Sequence, residues 1–282
     1  MGGYYLYVMY GFEHVPNTYV AGYHKYISLP FMTACYWSYY MASATDPGRL
    51  NKSTDDVIKE RALKRYGFDE ILFSDKNWCK TCEIVKPARS KHCSLCNTCC
   101  EKMDHHCVWI NNCVGLHNYK YFILFLFLHT GICIYGVTIG LLTAQHLIDE
   151  QDLWNKTFYT RNGQHFKADI WIVMQYLQNE HEMFAIVVFL CGVVTVMLIG
   201  FIGFHSFLIY NDYSTNEFAK RQQLTKFVAD RVAFLLKWEK ARDDGKAFKP
   251  AQKAIDKYNI GKDIQADMST ELLKERVNHA QY

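Results

Sequence analysis

Two long uncharged stretches decide what kind of fold this chain can adopt. Residues 121–144 and 183–210 contain no Asp, Glu, Lys or Arg over 24 and 28 positions, respectively. About 20 apolar residues are enough to cross the hydrocarbon core of a bilayer. Buried helices of soluble proteins rarely run this long without a charge, so the sequence predicts membrane spans over residues 119–144 and 183–210.

The N-terminal part of the chain supplies further membrane-like segments. Residues 26–45 are uncharged, and Tyr and Trp crowd the ends of this segment as they do at membrane interfaces, so we predict a span here despite Pro30. Residues 1–12 are apolar and aromatic but too short to cross a bilayer. We interpret them as the remnant of a first span whose beginning is missing, because the other three predicted spans make an odd number of membrane crossings. The expected fold is an α-helical polytopic membrane protein with four spans, the first truncated.

The distribution of basic residues predicts the orientation of the chain. Residues 46–118 hold 12 Lys and Arg and residues 211–282 hold 14, whereas residues 145–182 hold three against six acidic residues. Basic loops stay on the cytosolic side, so the first two segments are expected to be cytosolic and residues 145–182 to form a lumenal loop. A glycosylation sequon at Asn155 agrees with this, and a second sequon at Asn51 should remain unmodified.

Cysteine is concentrated in one predicted cytosolic segment. Eight of the 11 Cys fall between Cys79 and Cys113, and the reducing cytosol disfavours disulfides there. The pairs Cys79/Cys82 and Cys93/Cys96 have the C-x-x-C spacing that places two thiolates on one tetrahedral zinc ion. The other donors of the segment are Cys99, Cys100, Cys107, Cys113, His92, His105, His106 and His117. These donors are too many for one tetrahedral site. They are enough for two structural sites in which all four zinc ligands come from the protein.

Four consecutive residues within this segment, 104–107, combine an acid, two imidazoles and a thiol. A Cys becomes nucleophilic when a neighbouring His favours its thiolate, and an Asp can orient that His. The alternative is that all four residues merely ligate or surround zinc. Against this alternative, the other Cys and His of the segment can fill two zinc sites, so Cys107 is not needed as a ligand.

The spacing of these residues resembles a known family. From Cys79 to Phe122 the chain reads C-x2-C-x9-H-C-x2-C-x2-C-x4-D-H-H-C-x5-C-x4-N-x3-F. This pattern is similar, without a gap, to the Cys-rich domain of the DHHC protein S-acyltransferases (palmitoyltransferases). Residues 86–93 (KPARSKHC) and 109–115 (WINNCVG) also resemble the SWF-type fungal enzymes of the endoplasmic reticulum. Residues 46–118 are therefore expected to form a cytosolic DHHC Cys-rich domain stabilised by zinc.

The resemblance implies a role for each residue of the motif. Cys107 would be the acylated nucleophile, His105 its base and Asp104 the group that orients His105. Cys100 matches no required position. Two structural zinc ions would be held by Cys79, Cys82, His92 and Cys99 in one site and by Cys93, Cys96, His106 and Cys113 in the other.

The resemblance also implies a reaction and a location. Palmitoyl-CoA would acylate Cys107, and the acyl group would then pass to Cys thiols of membrane-associated proteins, with SNAREs suggested by the SWF-type likeness. The expected location is the endoplasmic reticulum or Golgi membrane, with the active site in the cytosol. Arg89, Lys91 and Lys86 are candidate partners of the CoA phosphates, although a solvated basic face is the other interpretation.

Features outside the Cys-rich segment follow the same resemblance. Residues 46–48 match the family's Asp-Pro-Gly motif, and residues 214–217 resemble its Thr-Thr-x-Glu motif, with Ser214 in place of the first Thr. Ungapped counting puts the family's chain-length residue near Ile132. Close packing of the spans is expected at Gly131, Gly136, Gly140, Gly192, Gly200 and Gly203.

Two rival functions and one open question belong with this interpretation. The rivals are a zinc-stabilised membrane adaptor without catalysis and a nucleic-acid-binding zinc module; the predicted spans and the net charge of only +3 argue against the second. In the predicted tail, residues 211–282, one apolar helix face could lie on the membrane or pack against the zinc domain. That face consists of Phe227, Val228, Phe234, Leu235 and Trp238.

Overall fold

A computed structural model describes residues 2–69, 71–159 and 162–243 of the chain. Its α-helices are α1 (Gly2–Gly11), α2 (His24–Ala44), α3 (Asp56–Arg65), α4 (Tyr119–Glu150), α5 (Ile170–Glu180), α6 (Glu182–Tyr210) and α7 (Thr215–Asp243). A 3₁₀ turn, Phe12–His14, follows α1. Helix α4 packs against both α2 and α6, and α1 packs against α6. Helices α1, α2, α4 and α6 therefore form one bundle with α4 at its centre.

Helices α4 and α6 are the long apolar elements of the bundle. Within the described ranges, these two helices, of 32 and 29 residues, are the ones long and apolar enough to cross a membrane. Helix α6 exposes large apolar side chains such as Phe189, Val196 and Met197, as a helix in contact with lipid does. Helix α2 has 21 residues and α1 has ten. The predictions that residues 26–45 span the membrane and that residues 1–12 are the remnant of a span stay predictions.

The predicted lumenal loop, residues 145–182, contains regular structure. Helix α4 continues to Glu150, beyond the predicted end of its span, and is followed by the hairpin of β8 (Thr157–Tyr159) and β9 (His165–Lys167). The end of α4 and helix α5 share a buried apolar cluster of Leu147, Ile148, Leu153, Val173 and Leu177. The segment is therefore a small folded cap on the bundle.

The glycines of the bundle behave differently on its two longest helices. A Cβ on Gly131 would lie 2.8 Å from a ring carbon of Phe31, and one on Gly140 would overlap Val188. A side chain at Gly140 would thus separate α4 from α6, and one at Gly131 would displace the Phe31 ring of α2. The same expectation is wrong for α6, because no atom of the described residues lies within 4 Å of a Cβ built on Gly192, Gly200 or Gly203.

Very short strands make up the Cys-rich domain. They are β1 (Arg49–Leu50), β2 (Trp78–Cys79), β3 (Ile84–Val85), β4 (Lys91–Cys93), β5 (Thr98–Cys100), β6 (His105–Cys107) and β7 (Asn112–Val114). They pair antiparallel as a sheet of order β1-β5-β4 and as the hairpins β2-β3 and β6-β7. Strands of two or three residues bury too little apolar surface to be stable alone. The fold of this domain therefore requires cross-links.

Two asparagine side chains attach the Cys-rich domain to the helix bundle. The Asn112 amide donates hydrogen bonds to the carbonyls of Ser43 and Thr45, at 3.0 and 3.1 Å. The Asn118 amide donates to the carbonyl of Ala42 at 3.1 Å. These carbonyls close α2 and lack partners within the helix. The end of α2 is consequently held against the hairpin that carries Cys107.

A tight turn at residues 46–48 leads from α2 into β1, as the Asp-Pro-Gly motif predicts. The Asp46 carboxylate accepts hydrogen bonds from the backbone N–H groups of Gly48 and Arg49, both at 2.9 Å. Gly48 has a φ of 101°, which favours glycine. The Arg49 guanidinium then donates to Asn112 Oδ1 at 2.8 Å, which joins the turn to the same hairpin.

Candidate active site and zinc centres

Two groups of three Cys and one His lie in the Cys-rich domain, and in each group all four ligand atoms are within 4.8 Å of one another. They are Cys79, Cys82, His92 and Cys99, and Cys93, Cys96, His106 and Cys113. The sequence assigns these same eight residues to two zinc sites.

The distances inside each group fit a tetrahedral ion. Cys and His ligands about 2.0–2.3 Å from one tetrahedral zinc lie roughly 3.5–3.8 Å from each other. In the first group, His92 Nδ1 is 3.3 Å from Cys82 Sγ, 3.5 Å from Cys79 Sγ and 3.9 Å from Cys99 Sγ. The Cys79/Cys82 knuckle, Cys99 and the imidazole thus face a common centre, and the group has the size that zinc requires.

The second group has nearly the same dimensions. His106 Nδ1 is 3.4 Å from Cys96 Sγ and 3.7 Å from both Cys93 Sγ and Cys113 Sγ. Cys113 Sγ and Cys96 Sγ are 3.6 Å apart. The donor set and its spacing therefore fit two zinc ions.

The alternation of side chains along β6 separates the two adjacent histidines. Successive residues of a strand point to opposite faces. His106 faces the second zinc group, opposite Cys113 in the β6-β7 register. His105 and Cys107 therefore share the other face, directed away from the metal. One imidazole is placed to bind zinc, and its neighbour is placed beside the thiol.

Asp104 holds His105 from one side. Its Oδ2 is 2.7 Å from His105 Nδ1, and Asp104 is only 3% exposed. Thr215 donates two further hydrogen bonds to Asp104, from its backbone N–H and its hydroxyl, both at 2.7 Å. Burial alone would raise the pKa of Asp104, but the hydrogen bonds from His105 and Thr215 hold that pKa below its ordinary value. Asp104 is accordingly an ionised acceptor.

His105 and Cys107 are matched for proton transfer. Burial opposes the charged form of each, but the hydrogen bond between them, the Asp104 carboxylate and backbone N–H groups outweigh it. The pKa of His105 is raised to about 9, and the pKa of Cys107 lies below the ordinary value of a thiol. The arrangement favours a thiolate beside an imidazolium, which is the reactive form of a nucleophilic Cys.

Ser214 and Thr215 divide the roles expected of the motif at residues 214–217. The Ser214 backbone N–H donates to Glu217 Oε2 at 2.8 Å, and the Glu217 backbone N–H donates to Ser214 Oγ at 3.2 Å. This reciprocal pair is a capping box at the start of α7. In the structure Ser214 caps the helix, and Thr215 contacts Asp104.

Arg89, a candidate partner of the CoA phosphates, is bonded to acidic groups of the chain itself. Its guanidinium makes two bonds to the Glu217 carboxylate, at 2.5 and 2.7 Å, one to the Asp212 carboxylate at 2.9 Å and one to the Asp212 carbonyl oxygen at 2.6 Å. The Arg89 and Glu217 side chains are only 13% and 4% exposed. Acidic groups of the chain itself thus occupy Arg89, which joins the Cys-rich domain to the start of α7.

Lys86 and Lys91 form a basic cluster with a residue that sequence reasoning missed. Burial, followed by the charges of Lys86 and Lys91, lowers the pKa of Lys220 on α7. The charges of Lys86 and Lys91 therefore act on Lys220, while the carboxylates of Glu217 and Asp69 oppose them. Lys220 is remote along the chain from the other two, and no local motif marks it.

His205 on α6 is a second residue that the sequence left unassigned. It is 1% exposed, its Nδ1 is 3.0 Å from the Tyr119 hydroxyl, and its ring centroid is 6.2 Å from that of His105. An imidazole within an apolar span is uncommon and usually functional. The position of His205 within residues 183–210 was therefore the sequence feature that could have marked it as a functional residue.

An apolar cavity of about 300 Å³ lies within the helix bundle. Residues of α1, α2, α4 and α6 contribute to its wall, among them Tyr7, Met32, Ile132 and Val188. Ile132, the residue indicated by counting from the motif, faces this cavity. Its lining suits a hydrocarbon chain.

Comparison with known proteins agrees with this geometry. The family model described as DHHC palmitoyltransferase matches residues 72–222. Palmitoyltransferase swf1 of Schizosaccharomyces pombe is 35% identical over 202 residues, which cover 71% of this chain and 51% of that protein. Palmitoyltransferase ZDHHC4 of Mus musculus is 34% identical over 183 residues, covering 64% and 51%, respectively. Palmitoyltransferase SWF1 of Neurospora crassa is 31% identical over 256 residues, covering 88% and 54%.

The extent of the match decides what it shows. The chain spans about half the length of the curated relatives it matches. The matched range nevertheless covers more than half of this chain and includes both Cys3His groups, residues 104–107 and Thr215. On that basis, the chain belongs to the DHHC palmitoyltransferase family.

Proposed function

We propose that this chain is a protein S-palmitoyltransferase that acylates its own Cys107 with palmitoyl-CoA and passes the acyl group to Cys thiols of membrane-associated proteins. The observation that carries the proposal is the pair of hydrogen bonds that joins Thr215 to Asp104 and Asp104 to His105, with Cys107 on the same face of β6 as His105. A zinc-stabilised adaptor has no need of a buried carboxylate that orients an imidazole beside a thiol. The names of the relatives, palmitoyltransferases from fungi and mammals, support the same reaction.

The first half-reaction begins with the Cys107 thiolate attacking the thioester carbonyl carbon of palmitoyl-CoA. The Cys107 S–C bond forms, the CoA S–C bond breaks, and the imidazolium of His105 gives its proton to the departing CoA sulfur. Asp104 keeps the hydrogen of His105 on Nδ1 and stabilises the positive charge. In the second half-reaction His105 takes the proton of the incoming protein thiol, whose sulfur displaces Cys107. Ping-pong kinetics follow from this order.

Two structural zinc ions would be held by the two Cys3His groups. Each group supplies four protein ligands, and such closed sites stabilise folds. They would supply the cross-links that the short strands need and would fix β6, the strand that bears His105 and Cys107. Without that support the two catalytic side chains would lose their common orientation.

Cys107 lies next to the ends of the proposed spans. It belongs to a buried cluster with Ala42 near the end of α2 and with Phe122 and Leu126 in the first turns of α4. We place residues 46–118 and 211–282 in the cytosol, so the thiol is at the cytosolic face of the membrane. The acyl chain would enter the apolar cavity, where each buried CH₂ contributes about 0.8 kcal/mol. The CoA phosphates would remain in water near Lys86, Lys91 and Lys220.

The similarity to the Swf1 proteins supports a finer proposal. We infer that the enzyme acts in the endoplasmic reticulum or Golgi membrane, on proteins whose Cys lies beside a membrane span, with SNAREs as the first class to test. A thiol attached to a span would be held at the depth of Cys107, which raises its effective concentration there.

Acyl labelling of the purified full chain tests the proposed activity. The protein in detergent is incubated with a palmitoyl-CoA analogue, and label that hydroxylamine releases is measured. Cys107→Ser should abolish this label, and Cys100→Ser should retain it, because Cys100 lies in neither metal group. Both variants should retain zinc. Hydroxylamine-sensitive label that survives Cys107→Ser would show that the enzyme interpretation of Cys107 is wrong.

A further inference from the structure

His205 presents a nitrogen that nothing in the described part of the chain satisfies. The residue is 1% exposed, and its Nδ1 is 3.0 Å from the Tyr119 hydroxyl. Its Nε2 is buried and has no hydrogen-bond partner. Leaving a buried polar group unpaired costs about 1–3 kcal/mol. A cost of this size indicates a partner that arrives during the working cycle.

The ring of His205 lies next to the catalytic residues. Its centroid is 5.3 Å from the ring of Phe122, which also packs edge-on against His105 at 5.1 Å. The two imidazole centroids are 6.2 Å apart, so the Phe122 ring lies against both histidines at the Cys107 cluster. The next turn of α6 towards its N-terminus continues the contact, because Ile202 packs on the cluster that contains Cys107.

The attack on a thioester needs a hydrogen-bond donor for the carbonyl oxygen, which becomes negatively charged. The backbone N–H groups nearest to the nucleophile, those of Trp109 and Ile110, are directed at the Cys107 sulfur. They stabilise the thiolate, so the carbonyl oxygen requires a different donor. If the Tyr119 hydroxyl donates to His205 Nδ1, the hydrogen of the neutral imidazole resides on Nε2, which is then a donor without an acceptor.

We propose that His205 is a further catalytic residue, whose Nε2–H donates a hydrogen bond to the carbonyl oxygen of the thioester during attack by Cys107. The proposal rests on the proposed acyltransferase function. As the Cys107 sulfur bonds to the carbonyl carbon, the C=O electron pair moves to oxygen, and His205 stabilises that charge. When the pair returns, the CoA S–C bond breaks and CoA leaves with the proton from His105. Tyr119 is a positioning residue that fixes the tautomer of His205.

Substitutions of His205 by amides of different length can distinguish this catalytic role from a structural one. Gln places its amide near the position of imidazole Nε2, whereas Asn places it near Nδ1. His205→Asn should lower the acylation rate at saturating palmitoyl-CoA by roughly 100- to 1000-fold, as removal of an oxyanion donor does in other acyl-transfer enzymes. His205→Gln should retain much more of the rate. Ser206→Ala, the exposed neighbour on α6, is the matched control and should be unchanged.

Alkylation of Cys107 by iodoacetamide provides the second measurement in the full-length protein. This reaction needs the thiolate but forms no carbonyl oxyanion, so its rate should be unchanged in both His205 variants. Parallel losses of acylation and alkylation would assign His205 to folding or to thiol activation and overturn the proposal, as would unchanged acylation in His205→Asn. A wild-type protein that is alkylated at Cys107 but never acylated would refute the proposed function and this role together. If His205→Asn loses its zinc and fails to fold, His205→Gln decides: acylation lost with alkylation intact overturns the proposal, and acylation retained supports it.

Discussion

Thr215 and Asp104 lie far apart along the chain, yet two hydrogen bonds of 2.7 Å join them. The backbone N–H and the hydroxyl of Thr215 each donate to one carboxylate oxygen of Asp104. The start of α7 therefore completes the surroundings of the residue that orients His105. Family membership makes this a polytopic membrane protein, and the contact connects the residues after α6 to the proposed reaction centre.

Removal of the Thr215 hydroxyl should slow acylation of Cys107. A hydrogen bond to a charged group contributes about 1.5–3 kcal/mol, so Thr215→Val should reduce the acylation rate by roughly 10- to 100-fold, because Asp104 then holds His105 less firmly. Thr215→Ser keeps the hydroxyl and should retain most of the rate. The initial rate of palmitoyl-CoA labelling is the measurement. Equal rates in the Val and Ser variants would contradict the assigned role of the hydroxyl.

The pair of Arg89 and Glu217 should stabilise the fold. Arg89→Ala leaves the buried Glu217 carboxylate without its bidentate partner, and breaking a buried pair in this way costs about 3–5 kcal/mol. A marked fall in the midpoint of thermal unfolding in detergent is expected. Lys64→Ala removes an exposed pair with Glu60 and should change the midpoint little. If Arg89→Ala proves as stable as Lys64→Ala, the structural role of Arg89 is wrong.

Metal analysis should find two zinc ions per chain. Cys82→Ser should remove the ion of the first group and, because His92 and Cys93 connect the two groups, weaken the second, so that the content falls to one ion or fewer per chain. Full removal by a chelator should abolish acylation and disrupt the Cys-rich domain, while the helical circular dichroism signal of the bundle largely remains. Cys191→Ser, a substitution in α6, should keep both ions. A wild-type content of one ion or none would contradict the two-site assignment.

Glycosylation can test the predicted orientation. Asn155 is exposed in the segment between α4 and α5, and if that segment is lumenal, expression in a eukaryotic cell should produce a mobility shift that an N-glycosidase removes. Asn155→Gln should abolish the shift, and Asn51→Gln should have no effect, because the Cys-rich domain is predicted to be cytosolic. A shift that depends on Asn51 would reverse the proposed topology.

The sequence predicted those parts of the site that depend on spacing. The spacing of Cys and His predicted two metal sites, the family resemblance divided the eight ligands between them, and both groups are confirmed as clusters of suitable size. The parts it missed depend on contacts between remote segments. Lys220, His205 and the acidic partners of Arg89 come from α6 and α7 or the turn between them, and no local pattern reports how these helices approach the Cys-rich domain. Likewise, the glycine pattern could not distinguish a packed face from one that faces outward.

Strand β4 gives the two metal groups a mechanical connection. His92 and Cys93 are consecutive, and they point to opposite faces and belong to different groups. Neither centre can shift without moving the other through one peptide unit, roughly 3.3 Å long. The domain should therefore unfold as a single cooperative unit. Damage at the first centre should then disorder the Cys107 hairpin, so we expect oxidation of the Cys79/Cys82 knuckle to stop acylation of Cys107 without altering its thiol.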